Sequence, residues 1–164
     1  MKIIHIEWDG PYTIGQLPEL KNEVSDYGVY QVYGAHPVYG SNVLLYIGKA
    51  DEQTFGVRLK QEDWIYNQDS QRVKFYVGRL AGASTPDDIT WSKEIDLGEK
   101  LLIYTHSPAL NTKNLNSIPD KELRNVHVLN WGLYRDLLPE VSGERWTWKH
   151  WEIAKYKVYG KESE

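Results

Sequence analysis

Gly28-Val-Tyr-Gln-Val-Tyr33 and Asn42-Val-Leu-Leu-Tyr-Ile-Gly48 are the two stretches on which the fold turns. Both are rich in β-branched and aromatic residues, which suit a pleated, half-buried surface. Between them lies Gly34-Ala-His-Pro-Val-Tyr-Gly-Ser41, with two glycines and a proline. Two such runs with that spacer predict an antiparallel hairpin closed by a long turn.

Upstream, Ile4, Ile6 and Trp8 alternate with polar neighbours, so Lys2–Trp8 reads as a strand. Asp9-Gly-Pro11 reads as a turn, and Thr13 as the cap of a short helix over Ile14–Glu23, which contains Pro18. Downstream of Gly48 the spacing turns helical from Asp51 to about Tyr66, with Phe55, Leu59 and Ile65 facing inward. Asn67–Ser70 is a turn. Val73, Phe75 and Val77 alternate through Arg72–Leu80, a further strand. Thr85-Pro-Asp87 is a helix start, and Pro86–His106 predicts a long helix that Pro108 ends. Gly98 sits inside that helix at some cost in stability. Val126–Trp131 predicts one more strand. The expectation is α+β: a small central antiparallel or mixed β-sheet flanked by helices, in one domain over 1–164. Residues 1–27 and 112–164 would elaborate it.

A chain of 164 residues can bury a core without disulfides or structural metal. It has no cysteine, which excludes thiolate nucleophiles, zinc fingers and iron–sulfur clusters. Its histidines, at 5, 36, 106, 127 and 150, never pair at ligand spacing, and His106, His127 and His150 read as structural. The net charge of −4 argues against phosphate binding over the whole surface but leaves room for a local basic cleft. No apolar run approaches a membrane span, and the start lacks a signal-peptide pattern. An intracellular, cytoplasmic protein with no membrane contact is expected.

Taken in order, Gly28-Val-Tyr30, Tyr46-Ile-Gly48 with Lys49-Ala50, Arg58, Glu99 and Ser107-Pro-Ala-Leu-Asn111 form one constellation. It resembles the GIY-YIG nuclease superfamily across Gly28–Asn111, about half the chain. The resemblance implies a GIY-YIG-like fold and an endonuclease that hydrolyses phosphodiester bonds in DNA, with RNA as the other candidate substrate and a homodimer as one way to cut both strands. It assigns Tyr30 as general base, with Tyr46 and Lys49 beside it, and Arg58 as the grip on phosphate. Glu99 would be the ligand of Mg²⁺ or Mn²⁺, and Asn111 would position Glu99 or the phosphate.

Such chemistry needs a base, a cation on the phosphate oxygens, and neutralisation of developing charge. A free tyrosine titrates about three units above neutral, so Tyr30 needs about 4 kcal/mol of help from cations such as Arg58 and Lys49. Glu99 has support of its own. It shares a helical stripe with Ile95 and Ile103, and a carboxylate on a core-facing stripe is costly unless paired or metal-bound. Glu94, Asp96 and Lys100 lie off that stripe and read as surface charges.

The sequence departs from the family in two places. The hairpin loop is long. And Glu62 stands one helical turn after Arg58, where family members often carry a His or Tyr. Glu62 would either take the Tyr30 proton or raise the Tyr30 pKa and weaken activity; His36 and Tyr39 are candidate substitutes. The rival class is a module that keeps the fold without catalysis and binds nucleic acid or a protein. Arg145–Lys161 interleaves aromatics with five basic residues and one acid. It reads either as a nucleic-acid contact or, preferred here, as packing of Trp146, Trp148 and Trp151 beside the N-terminal strand.

Overall fold

A computed structural model describes residues 1–62, 71–116, 121–147 and 159–160. Its centre is a mixed six-stranded sheet in the order β3-β2-β4-β1-β5-β6. The strands are β1 (Lys2–Tyr12), β2 (Gly28–His36), β3 (Gly40–Ala50), β4 (Lys74–Ala81), β5 (Val126–Gly132) and β6 (Glu140–Ser142). All neighbours are antiparallel except β1 and β5, which pair in parallel from Lys2↔Val126 to Trp8↔Gly132. The helices are α1 (Phe55–Leu59), α2 (Asp88–His106) and α3 (Gly143–Thr147). The α+β class with a mixed sheet is as the sequence predicts. Among the described residues no helix is long and apolar enough to cross a membrane.

The two faces of the sheet bury different sets. Ile4, Ile6, Trp8, Val29, Tyr33, Ile47 and Val128 pack with Ile95, Leu101, Leu102 and Ile103 of α2. Tyr30, Val32, Phe75 and Val77 face the other way, against Phe55 and Leu59 of α1 and Leu17 and Leu20. Alternation along β2 and β4 produces this division directly.

Several expectations need correction. Asp9–Pro11 is no turn: β1 runs through to Tyr12, whose partner is Phe75, with an irregularity in register between Asp9 and Tyr12. The helix over Ile14–Glu23 is a single 3-10 element, Ile14–Glu19, with Pro18 inside. The hairpin turn is short, because the ladder persists to His36↔Gly40 despite the glycines. α1 begins at Phe55, and Ile65, Tyr66 and the turn at Asn67–Ser70 lie outside the described residues. α2 is capped by Asp87 rather than Thr85; the Asp87 carboxylate accepts from the Thr90 N–H at 2.9 Å. β1 is an interior strand, so Lys2–Tyr12 of the N-terminal piece belongs to the sheet itself.

Candidate functional site

The β2–β3 register places Tyr30 opposite Gly48 and Val32 opposite Tyr46. Tyr30 and Tyr46 therefore sit diagonally on the α1 face, ring centres 6.2 Å apart. Gly48 is needed there. A β-carbon on it would stand 2.5 Å from both Cζ and Oη of Tyr30 and 2.7 Å from Cε1 of Tyr46. Gly28 has a similar role toward β4, where a β-carbon would fall 2.0 Å from the Gly78 carbonyl oxygen. Gly48 is thus dictated by the rings of Tyr30 and Tyr46, and Gly28 by the close approach of the β4 backbone.

Arg58 comes from α1, whose start is held by the N-terminal segment. The Phe55 N–H donates to the Asp26 carbonyl at 2.9 Å, and the Gly56 N–H to the Leu20 carbonyl at 2.7 Å. Asp26 in turn accepts from Arg79 of β4 at 2.7 Å. From that anchored turn Arg58 reaches Glu62, with Nη2 to Oε1 at 2.8 Å. The Tyr30 hydroxyl donates to the same Oε1 at 3.0 Å. One carboxylate oxygen thus joins the phenol to the guanidinium.

This arrangement keeps Tyr30 protonated. Its side chain is fully buried. Burial, then the negative charge of Glu62, push the phenol far above the ordinary tyrosine range, and Arg58 opposes them without offsetting them. Tyr46 is raised too, by burial and then by Glu62 and Glu99, against Arg58. Burial alone would lower Arg58, but the Glu62 carboxylate beside it outweighs that and holds the guanidinium charged.

Glu99 stands on α2 between buried Ile95 and Ile103, as its stripe predicts, and lies near enough to act on the Tyr46 phenol. Its carboxyl makes no hydrogen bond or ion pair with another described residue. Burial, offset in part by Lys49 and aided by Asp96 and Asp51, pushes its pKa up to about 7. Lys49 points to this side of β3. Its ammonium meets Asp96 at 2.9 Å and Asp51 at 3.1 Å, and these carboxylates outweigh burial to keep it charged. Asp96 also pairs with Lys100 at 2.6 Å. Asp96 and Lys100 are therefore members of the network beside Glu99, not isolated surface charges. The sequence signal for Asp96 was its place one turn before Glu99; its partner on β3 was not visible. Glu94 pairs with Lys2 at 2.9 Å.

Asn111 lies against the outer edge of β3. Its Oδ1 accepts from the Ile47 N–H at 2.9 Å, and its Nδ2 donates to the Ile47 carbonyl at 2.9 Å. The side chain thus mimics a paired strand residue and touches neither Glu99 nor Tyr30. The structure brings together Tyr30, Tyr46, Arg58 and Glu62 on the α1 face, and Lys49 with Asp96 and Glu99 on the α2 side. His36 and Tyr39 are elsewhere, stacked on each other at the hairpin tip with ring centres 4.6 Å apart. His106 is structural: the Leu138 N–H donates to its Nε2 at 2.8 Å, leaving Nδ1–H for the Leu102 carbonyl. Trp146 packs edge-on to Tyr104 of α2 rather than on the N-terminal strand. Trp148, His150 and Trp151 lie outside the described residues.

Among the described residues no three His, Asp or Glu side chains converge as a metal cage. A lone carboxylate suits only an ion that keeps most of its shell in water and phosphate oxygens, as Mg²⁺ does. The free lone pairs of Glu99 fit that kind of ion. Comparison with known protein families, with curated proteins and with solved structures found no match to the chain.

Proposed function

We propose that this chain is a metal-dependent endonuclease with a GIY-YIG-like core that hydrolyses phosphodiester bonds in DNA. The observation that carries the reading is the bridge from the Tyr30 hydroxyl through Glu62 Oε1 to Arg58. It supplies a proton route and a phosphate-binding cation in one chain of contacts.

Tyr30 is a poor free base, because a phenolate in its buried position is costly. Relay avoids that cost. As the water oxygen bonds to phosphorus, the P–O bond to the leaving sugar oxygen breaks; the water proton passes to the Tyr30 oxygen while the Tyr30 proton passes to Glu62, and the departing alkoxide takes a proton from solvent water. Tyr30 never carries a full charge. Arg58 couples the relay to substrate: an arriving phosphate competes with Glu62 for the guanidinium. Glu99 would hold Mg²⁺ or Mn²⁺, which would neutralise charge on the phosphate oxygens. Lys49, held charged by Asp96 and Asp51, adds positive potential on the same side. Asn111 acts at a distance, by fastening the strand that carries Tyr46 and Lys49.

The second reading is a non-catalytic module that binds DNA or a protein. One observation favours it: Glu62 holds Tyr30 as a neutral donor. Supercoiled plasmid incubated with Mg²⁺, and in parallel Mn²⁺, separates the two. Nuclease function requires nicking or cutting that Glu99→Gln and Glu62→Gln each abolish. Absence of cleavage by the wild type on DNA and RNA substrates establishes the module instead.

A further inference from the structure

On the sheet face opposite Tyr30, a hollow of about 630 Å³ opens beside Tyr76. Its wall carries Arg72, Lys74 and Arg135, with the polar side chains of Ser41 and Asn42, and no carboxylate among its described lining. Three cations line this hollow on a chain of net charge −4, with the Asp136 carboxylate 3.9 Å from Arg135. Arg135 is built in, not draped. Its guanidinium lies 3.8 Å from the Tyr33 ring centre and 5.4 Å from that of Tyr76. It also donates to Asn42 Oδ1 at 3.1 Å. Its backbone has φ 51°, a conformation that costs a non-glycine residue about 1 kcal/mol. The Lys74 side chain makes no hydrogen bond or ion pair with another described residue.

We propose that this hollow is a landing surface for the phosphate backbone of double-stranded DNA. Stacked, planar arginine with a lysine beside it suits phosphate oxygens, and the open form suits a continuous chain of them. Lys74 pairs with Tyr33, three residues along β2 from Tyr30 and about 10 Å at the rise of a strand. The hollow is thus a contact region separate from the Tyr30 site. DNA as its occupant rests on the proposed activity; the cationic character does not.

The test is binding of a labelled mixed-sequence duplex in EDTA, read by fluorescence anisotropy over a salt series. Arg72→Glu/Lys74→Glu should weaken binding by about tenfold or more at low salt and flatten the salt dependence by about two ions. Arg72→Gln/Lys74→Gln should do the same more mildly. Lys113→Glu/Lys121→Glu, with the same change in net charge on exposed residues elsewhere, should bind as the wild type. Unchanged affinity in the first variant overturns the proposal, as does equal weakening in the Lys113/Lys121 control. Preference for duplex RNA, or equal binding of a polyglutamate peptide lost in the same variant, overturns DNA as the occupant. Because EDTA removes cleavage from the readout, failure of the nuclease reading and failure of this one are seen separately.

Discussion

The phenol ring of Tyr30 fills the space that a side chain at position 48 would need. Position 48 faces Tyr30 across the β2–β3 ladder, with 2.5 Å between a notional β-carbon and the ring. Gly48→Ala should therefore cost about 1–3 kcal/mol, as overpacking does. Thermal melting checks this. In a Tyr30→Ala background the same substitution should cost much less, because the colliding ring is gone.

Tyr30 should resist ionisation. With ¹³C-labelled tyrosine, its ring carbon should keep the phenol shift through pH 11, after exposed tyrosines have titrated. Glu62→Gln removes a negative charge and should bring the Tyr30 titration down. Arg58→Gln removes a positive charge and should push it further up.

Glu99 sets a pH dependence of stability. Its folded pKa of about 7 lies above the ordinary 4.5, so the folded state holds a proton that the unfolded chain releases earlier. That contribution is whole below pH 4.5 and is lost as pH rises through 7. Glu99→Gln should thus be near neutral at pH 4.5 and stabilising by about 1–3 kcal/mol at pH 8. Adding Mg²⁺ at pH 8 should raise the melting temperature of the wild type and leave that of Glu99→Gln where it was.

Asn111→Ala should cost about 2–4 kcal/mol, since it removes two buried hydrogen bonds and orphans both polar groups of Ile47. Urea unfolding reads it. Asn111→Asp keeps the acceptor for the Ile47 N–H but sets a carboxylate against the Ile47 carbonyl, and should not recover the loss.

Gly98→Ala goes the other way. The new β-carbon would meet Ile6 Cδ1 at 3.6 Å, an ordinary contact. The gain in helix propensity should stabilise the fold by about 0.5–1 kcal/mol in the same urea experiment.

The hairpin was legible because its signal is local: β-forming runs, with glycines where rings cross. The turn was misjudged for the same reason. Gly34 and Gly40 look like loop residues alone, but strand partners at Val43 and His36 extend the ladder past them. The pairing of β1 with β5 spans most of the chain and leaves no trace in any short window. Glu99 was legible from Ile95 and Ile103, whose spacing fixes its face. Asp96 was not, because Lys49 reaches it from another element. Arg135 carries no motif; only the fold sets Tyr33 and Tyr76 beneath it.

The run after α2 lies along β3, where the Leu110 N–H donates to the Leu45 carbonyl at 2.7 Å beside the Asn111 clasp. The other margin of the sheet is β6, only three residues long. Exposed margins are where sheets recruit foreign strands and begin to aggregate. Among the described residues, one margin is clasped at Leu44–Ile47 and the other is only three residues long. Two copies of this chain that associate should therefore meet through side chains more readily than by extending the sheet. The protein should then stay dispersed at concentrations where an open-edged sheet of this size would precipitate.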